Sequence, residues 1–343
     1  MLALKSGSIP KKNLYFRVDA GSNIGLGHLM RSSALADILS EYFNCILLTF
    51  NLPDLLFNSK SVGFQEIVNL DSSDPIYINN YIPKNSIIVL DGYHFDNNFQ
   101  KYLKSCGHLL VSIDDIQATH FVSDIIINHG VNIDIEKYSC EEYTKKFVGL
   151  DYIMLRDPFY NLMPQKKNIK NVENLLVIPG GNDLKEISMI ILQNHDKLFF
   201  KNIHIISGAG SNSFEKIITT SKSIANVIVH QNLDANELIK VARNCEICIC
   251  TPSGISYEMS CIGIGLILCK IAENQQHFYD FFVDNQLAFG CDFYSSTDSS
   301  KLIQLIHKLK SNIQLVNQQI QNQKMYFKNN AKKNLIKIFE NIV

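Results

Sequence analysis

Short apolar runs that fail to alternate constrain this chain more than any other feature. Residues 14–18, 45–49, 87–90, 109–113 and 124–128 are brief, β-branched and uninterrupted. A strand with one wet face alternates polar with apolar side chains. Runs like these belong to parallel strands covered by helices on both faces. The scheme recurs in the second half, with strands expected at 175–179, 203–207, 226–229, 246–250 and 265–269 and helices near 184–198, 235–243, 256–261 and 274–282. Between the first two runs the spacing predicts a helix whose apolar stripe is Leu26, Met30, Ala34 and Ile38. The chain therefore reads as α/β, with two doubly wound domains. Its 343 residues favour two domains over one.

The join falls between residues 157 and 174, where Pro158, Pro164 and the polar run 165–174 interrupt the pattern. This gives an extension at 1–13, an N-terminal domain at 14–160 and a C-terminal domain at 161–343. From Asp298 onward Leu and Ile alternate with Lys, Gln and Asn, which predicts two amphipathic helices with the option of packing back on the N-terminal domain.

Composition narrows the function. The chain is 46% hydrophobic and 19% charged, with a formal net charge of −1, so it can fill a core and carries no dense basic stripe. Nucleic acid is not an expected partner. No apolar run approaches the roughly 20 residues of a membrane helix, and residues 1–13 are too short and polar for a signal peptide. The expectation is a cytoplasmic protein without membrane insertion; its oligomeric state is not legible. The nine cysteines are odd in number and scattered. Cys245, Cys248 and Cys250 form one cluster, but no second pair stands at ligand spacing. Cys248 and Cys250 read as small apolar side chains on one buried face of a strand. No metal and no cofactor are expected.

The segment 17–36, RVDAGSNIGLGHLMRSSALA, holds the most chemistry. A strand ends near Val18, Gly21, Gly25 and Gly27 lie in a short loop, and His28 opens a helix. Free N–H groups and the helix dipole then point into one small volume, which makes an anion site. A histidine beside the positive helix end is kept neutral and can take a proton at pH 7. His28 is therefore a candidate base, or a capping residue. Asp19 orients His28, holds a sugar hydroxyl, or caps the loop. Arg31 touches phosphate or pairs with a carboxylate. Gly25 and Gly27 allow close backbone approach to a ligand, or serve only a tight turn. His94 is a rival base. Asp114 and Asp115 are adjacent and point to opposite sides, so at least one closes a loop or caps a helix; Asn128 holds the next turn. Gly180 and Gly181 follow a second-half strand and can present N–H groups to a diphosphate.

These signatures come in a telling order. RVDAGSNIGLGHLMR is followed by LDGY (90–93), IDD (113–115), SDIIINHGVN (123–132), FVGLDYIMLRDPF (147–159), IPGGND (178–183), TPSGISYEMSCIGIG (251–265) and AENQ (272–275). The series, over about residues 14–290, resembles the hydrolases that cleave UDP-2,4-diacetamido-2,4,6-trideoxy-β-L-altropyranose in pseudaminic acid biosynthesis. The resemblance implies a GT-B architecture, two Rossmann-like domains facing across a cleft that holds the sugar nucleotide. It implies His28 as general base for water attacking C1, with inversion and release of UDP. It puts Tyr93 in the sugar site, and Ser253, Gly254 and Ser256 at the diphosphate. Glu258 would hold the ribose hydroxyls, as a carboxylate can accept both hydrogen bonds of a vicinal diol, or would complement the helix dipole. Asn274 and Gln275 would face the sugar or its acetamido groups, with an N-cap role for Asn274 open beside it. Two other functions fit the same architecture: a glycosyltransferase or UDP-sugar 2-epimerase, and a non-catalytic nucleotide-sugar binder.

Overall fold

The computed structural model describes residues 11–20, 27–50, 63–162, 168–180, 183, 186–207, 214–293 and 298–342. They fall into two compact units. The first contains the described residues up to Asn128 together with 134–148; the second contains 129–133 and 149–341.

The first unit is built on seven strands: β1 (Lys12–Val18), β2 (Phe43–Thr49), β3 (Glu66–Asn69), β4 (Ile87–Asp91), β5 (Leu109–Ile113), β6 (Ile125–Asn128) and β7 (Lys145–Val148). Their order across the sheet is β3-β2-β1-β4-β5-β6-β7. All neighbours run parallel. Helices α1 (Gly27–Leu39), α2 (Pro75–Asn79) and α3 (Asn97–Ser105) belong to this unit. On one face Tyr15, Ile88, Leu90 and Leu110 pack with Ile78, Phe95, Phe99 and Leu103 into a closed apolar core. The chain steps outward from β1 in one direction and, from β4, in the other. The C-terminal ends of these two strands are thus the switch point at which open α/β sheets bind ligands.

The second unit repeats the design with six strands: β8 (Asn174–Ile178), β9 (Asn202–Ser207), β10 (Val227–Gln231), β11 (Ile247–Cys250), β12 (Gly265–Lys270) and β13 (Phe289–Asp292). They are ordered β10-β9-β8-β11-β12-β13 and again all parallel. Its switch point lies between β8 and β11. Its described helices are α4 (Asp157–Tyr160), α5 (Ile187–Gln193), α6 (His195–Leu198), α7 (Phe214–Ser221), α8 (Ala235–Arg243), α9 (Gly254–Ile262), α10 (Gln276–Asp284), α11 (Asp298–Ser311), α12 (Ile313–Tyr326) and α13 (Ala331–Glu340). Cys248 and Cys250 are fully buried in β11 as core residues. Among the described residues no helix is long and apolar enough to cross a membrane. No group of three or more His, Cys, Asp or Glu side chains is gathered as a metal-ion site among them either.

The structure corrects several expectations. Met30 is 40% exposed, so it is not part of a buried stripe; Leu26 lies outside the described residues. The buried side of α1 includes His28, Leu29, Ser32, Ser33 and Leu35, a partly polar face. The helix expected over 184–198 is divided at Asn194 into α5 and α6. The tail forms three helices rather than two. Its last, α13, lies against the segment around Asp151 and Asp157: Asn330 and Asn334 donate to Asp151 at 2.9 and 3.0 Å, and Lys332 pairs with Asp157. Strands β3, β7 and β13 carry no sequence signal that the apolar-run criterion detects.

Candidate functional site

At the switch point of the first unit, Val18 of β1 is in register with Asp91, the last residue of β4. Register partners in a parallel pair project to the same face, and the next residue along projects to the other. Asp91 therefore lies on the α1 face, whereas Asp19, one residue beyond Val18, lies on the opposite one with Arg17. The consequences follow directly. His28, Arg31 and Ser32 occupy positions i, i+3 and i+4 of α1, which stack on one side of a helix. All three reach Asp91, which is fully buried. His28 Nδ1 lies 2.7 Å from Asp91 Oδ1. Arg31 donates through Nε to Oδ2 at 2.9 Å and through its NH2 group to Oδ1 at 2.6 Å. The Ser32 hydroxyl donates to Oδ2 at 2.7 Å. The remaining arm of Arg31 donates to Asp115 Oδ2 at 2.6 Å. Burial alone would raise the pKa of Asp91; the Arg31 charge and the hydrogen bonds from His28 and Arg31 outweigh it and hold the carboxyl well below the usual range.

Tyr93 stands edge-on to His28, with ring centroids 4.7 Å apart, and is half-exposed. Burial first, then the neighbouring Asp115 charge, pushes its hydroxyl pKa up, so the phenol stays protonated. The structure thus brings together His28, Tyr93 and three residues not expected at the centre: Asp91, Ser32 and Asp115.

Asp19 is not among them, which corrects its expected role in orienting His28. Its carboxylate is clasped by both arms of the buried Arg17 guanidinium, accepts the Phe50 N–H at 2.7 Å, and pairs with His94 Nε2 at 2.9 Å. Burial raises its pKa, but the His94 and Arg17 hydrogen bonds, the Arg17 charge and the Phe50 N–H win, leaving it at about 2. The rival His94 is thus tied to Asp19, with 42% of its side chain exposed. Asp114 closes a loop as expected: it accepts the Gln117 N–H at 3.1 Å and the Tyr138 hydroxyl at 2.7 Å. Asn128 holds the same loop by donating to Tyr138 at 2.7 Å. Gly27 is the first residue of α1, and a Cβ there would meet nothing within 4 Å. Gly25 lies outside the described residues.

In the second unit, Gly180 follows β8 with φ +96°, a left-handed conformation that favours glycine. Gly181 lies outside the described residues. Ser253 is the extended N-cap of α9 without a side-chain cap bond, and a Cβ on Gly254 would meet nothing within 4 Å. Ser256 is fully buried and its hydroxyl donates to the Ser253 carbonyl at 2.7 Å. That hydroxyl is engaged in the turn, a correction to its expected place at a diphosphate. Glu258 sits one turn into α9 rather than in its first turn. Its carboxylate takes two hydrogen bonds from Arg156, from Nε at 2.8 Å and NH2 at 2.6 Å. Arg156 precedes α4, rests over the Phe159 ring and was not anticipated. Burial would lower the pKa of Arg156, but the Glu258 charge and hydrogen bonds outweigh it and raise it. Gln275 accepts the Ile271 N–H at 2.9 Å within a 3₁₀ turn, and Asn274 is exposed in that turn. The residue preceding α10 is Gln275, so the capping role open to Asn274 is not realised.

No family model matches the chain. It is 26% identical over 244 residues to the UDP-2,4-diacetamido-2,4,6-trideoxy-β-L-altropyranose hydrolase of Campylobacter jejuni, a match covering 65% of this chain and 82% of the relative. It is 23% identical over 307 residues to the spore coat polysaccharide biosynthesis protein SpsG of Bacillus subtilis, covering 87% and 88%. Among solved structures, MurG of Acinetobacter baumannii superposes with a TM-score of 0.66 at 13% identity, over 97% of this chain and 100% of that one. The sequence resemblance to the UDP-sugar hydrolase holds in this comparison as in the motifs, and the chain has the GT-B fold, two Rossmann-like domains.

Proposed function

We propose that this protein hydrolyses a UDP-linked diacetamido-trideoxy hexose to UDP and free sugar, as the C. jejuni relative's name describes for that enzyme. In this reading His28 Nε2 takes a proton from water as the oxygen attacks C1. The C1–O bond breaks with inversion and the electron pair leaves on the diphosphate. UDP is already a good leaving group, so one base and charge stabilisation suffice. The observation that carries the reading is His28 itself: a histidine at the first turn of α1, on a strand-end switch point, paired with a buried carboxylate and flanked by Tyr93. Asp19 serves here as the anchor of His94 rather than as a partner of the base.

The nucleotide-binding role belongs to the second unit in the same proposal. The N-terminus of α9, with Ser253 and Gly254, and Gly180 after β8 present N–H groups to the diphosphate; Gly181, the other glycine of the pair, lies outside the described residues. In the first unit Gly27 opens α1 beside His28, and Gly25 lies outside the described residues. Open space at Gly27 and Gly254 supports close approach, because no protein atom demands a glycine there. A carboxylate offers about four lone-pair positions, so Glu258 can meet ribose hydroxyls while Arg156 holds it. Asn274 is exposed and suited to an acetamido group; Gln275 is engaged in its own turn. The product would feed nonulosonate, that is pseudaminic acid-type, biosynthesis.

The test is incubation with the UDP-sugar and water alone. Release of UDP with free sugar, its first-formed anomer inverted by NMR, is the expected result. Release only with an acceptor would favour a glycosyltransferase, an epimerised product a 2-epimerase, and binding without turnover a nucleotide-sugar binder. His28→Ala should lower kcat by ~10²–10⁴ while leaving UDP affinity within a few-fold. Turnover should survive a chelator, since helix ends and glycine loops neutralise the phosphates in this mechanism. Inhibition reversed by added Mg²⁺ would count against it.

A further inference from the structure

We propose that Asp91 is the positioning residue of the His28 base, locking the imidazole in the tautomer that carries its proton on Nδ1, and that Arg31, shared between Asp91 and Asp115, locks Asp91 in turn. This deepens the reading above and rests on it for its catalytic consequence, though not for its geometry.

Two contacts compete at Nδ1. Asp91 Oδ1 lies at 2.7 Å and an Arg31 terminal nitrogen at 2.8 Å. A carboxylate oxygen only accepts and a guanidinium nitrogen only donates. If Arg31 donated to Nδ1, a ring lone pair would face an anionic oxygen 2.7 Å away in a buried site, and the hydrogen bond between the two would be lost. The same Arg31 nitrogen already has an acceptor in Oδ1 at 2.6 Å. The Nδ1–H tautomer satisfies every group: His28 and Arg31 both donate to Oδ1, while Arg31 Nε and Ser32 donate to Oδ2. The four acceptor positions of Asp91 are then all filled. Asp91 cannot itself serve as base, and Nε2 is left as the ring's acceptor.

Charge suits the proton-accepting role of the ring. Asp91 and Asp115 bring two negative charges to the cluster and Arg31 one positive charge. The excess is one negative charge, which the proton arriving on His28 neutralises. Arg31 has both carboxylates as partners and is not spare for phosphate, which settles between the two roles open to it in favour of pairing. The two histidines also separate here: His94 belongs to Asp19, on the other face of the sheet end.

The test reads the tautomer directly, by long-range ¹H–¹⁵N correlation of the His28 ring in the whole protein at neutral pH. The expected spectrum has a protonated Nδ1 and a bare Nε2. An Nε2–H tautomer in the wild-type protein would overturn the proposal, and this reading needs no variant and no substrate. In Asp91→Asn the amide can turn its NH2 toward Nδ1. His28 should then shift to Nε2–H, and kcat should fall ~10²–10⁴-fold with KM within about threefold. An unchanged tautomer, or kcat within threefold of wild type, would overturn it. If the wild-type protein releases no UDP from the sugar nucleotide, the hydrolase reading fails while the tautomer still decides the role of Asp91.

Discussion

Glu258 illustrates how a partner changes what a substitution measures. Removing it takes away the proposed ribose acceptor and leaves the Arg156 guanidinium partly buried with its charge uncompensated, a loss of about 2–4 kcal/mol for a pair of this kind. Glu258→Gln keeps the volume and one acceptor oxygen. We therefore expect Glu258→Ala to lower both urea resistance and UDP affinity, and Glu258→Gln to weaken UDP by about tenfold with a smaller stability loss. Titration calorimetry beside urea unfolding separates the two effects; unchanged UDP affinity in both variants would remove the ribose role. The residue scale also marks where sequence reading stops. His28 was legible because glycine, histidine and helix start are neighbours in the chain. Asp91 was not, because its role depends on Val18 pairing with it across 73 residues of chain. The usable signal was the i, i+3, i+4 set of His28, Arg31 and Ser32, a polar face where an apolar one was expected. Arg156 and Glu258, 102 residues apart, were hidden in the same way.

Elements show a second division. The strands read from apolar runs are all the inner ones and a single edge, β10, and those missed, β3, β7 and β13, are all sheet edges. An edge strand is not covered on both sides, so it needs no continuous apolar run; EIVN, KKFV and FGCD are half-buried and short. β10 is an edge too, but its Val-Ile-Val core revealed it. The tail misled for a related reason. Its Gln and Asn residues look like a wet helix face, yet several are structural. β13 begins to pair with β12 only at Ile267, so the backbone of Leu266 lacks a strand partner on that side. Gln319 of α12 takes its place, accepting the Leu266 N–H at 2.8 Å and donating to its carbonyl at 3.2 Å. Gln323 bonds the Ile264 and Leu287 carbonyls at 3.1 and 3.0 Å. Gln319→Leu should thus cost about 1–3 kcal/mol, since it leaves a buried N–H and C=O unmet. Chemical unfolding should register this, and Gln318→Leu, away from the strand, serves as the control; equal effects in the two variants would contradict the substitute-strand role.

For the whole molecule, acid should act with opposite sign on the buried carboxyls whose pKa is shifted in the two units. The first unit holds Asp19 and Asp91, both with folded-state pKa values below the unfolded one. A depressed carboxyl stabilises the fold above its unfolded pKa, and that stability is lost as pH falls through the folded value. For Asp19 the window runs from 3.8 down to about 2, worth about 2 kcal/mol at neutral pH. Asp91 adds to it in the same direction over a window that extends lower. In the second unit, burial raises the pKa of Asp183, although the N–H groups of Ile187 and Ser188 bond it. A raised carboxyl costs stability above its folded pKa, so acid relieves that cost rather than adding to it. Below pH 4 the first unit should therefore lose protection before the second. Hydrogen exchange followed by mass spectrometry from pH 5 to pH 2 can check this. Peptides from β1 and β4 should become exchange-competent at higher pH than peptides from β8 and β11. Asp19→Asn should flatten the acid dependence of the first unit while leaving that of the second unchanged. If the β8 and β11 peptides open first, or if both units open together with an unaltered profile in Asp19→Asn, the buried carboxylates at the β1–β4 switch point are not what makes the fold acid-sensitive.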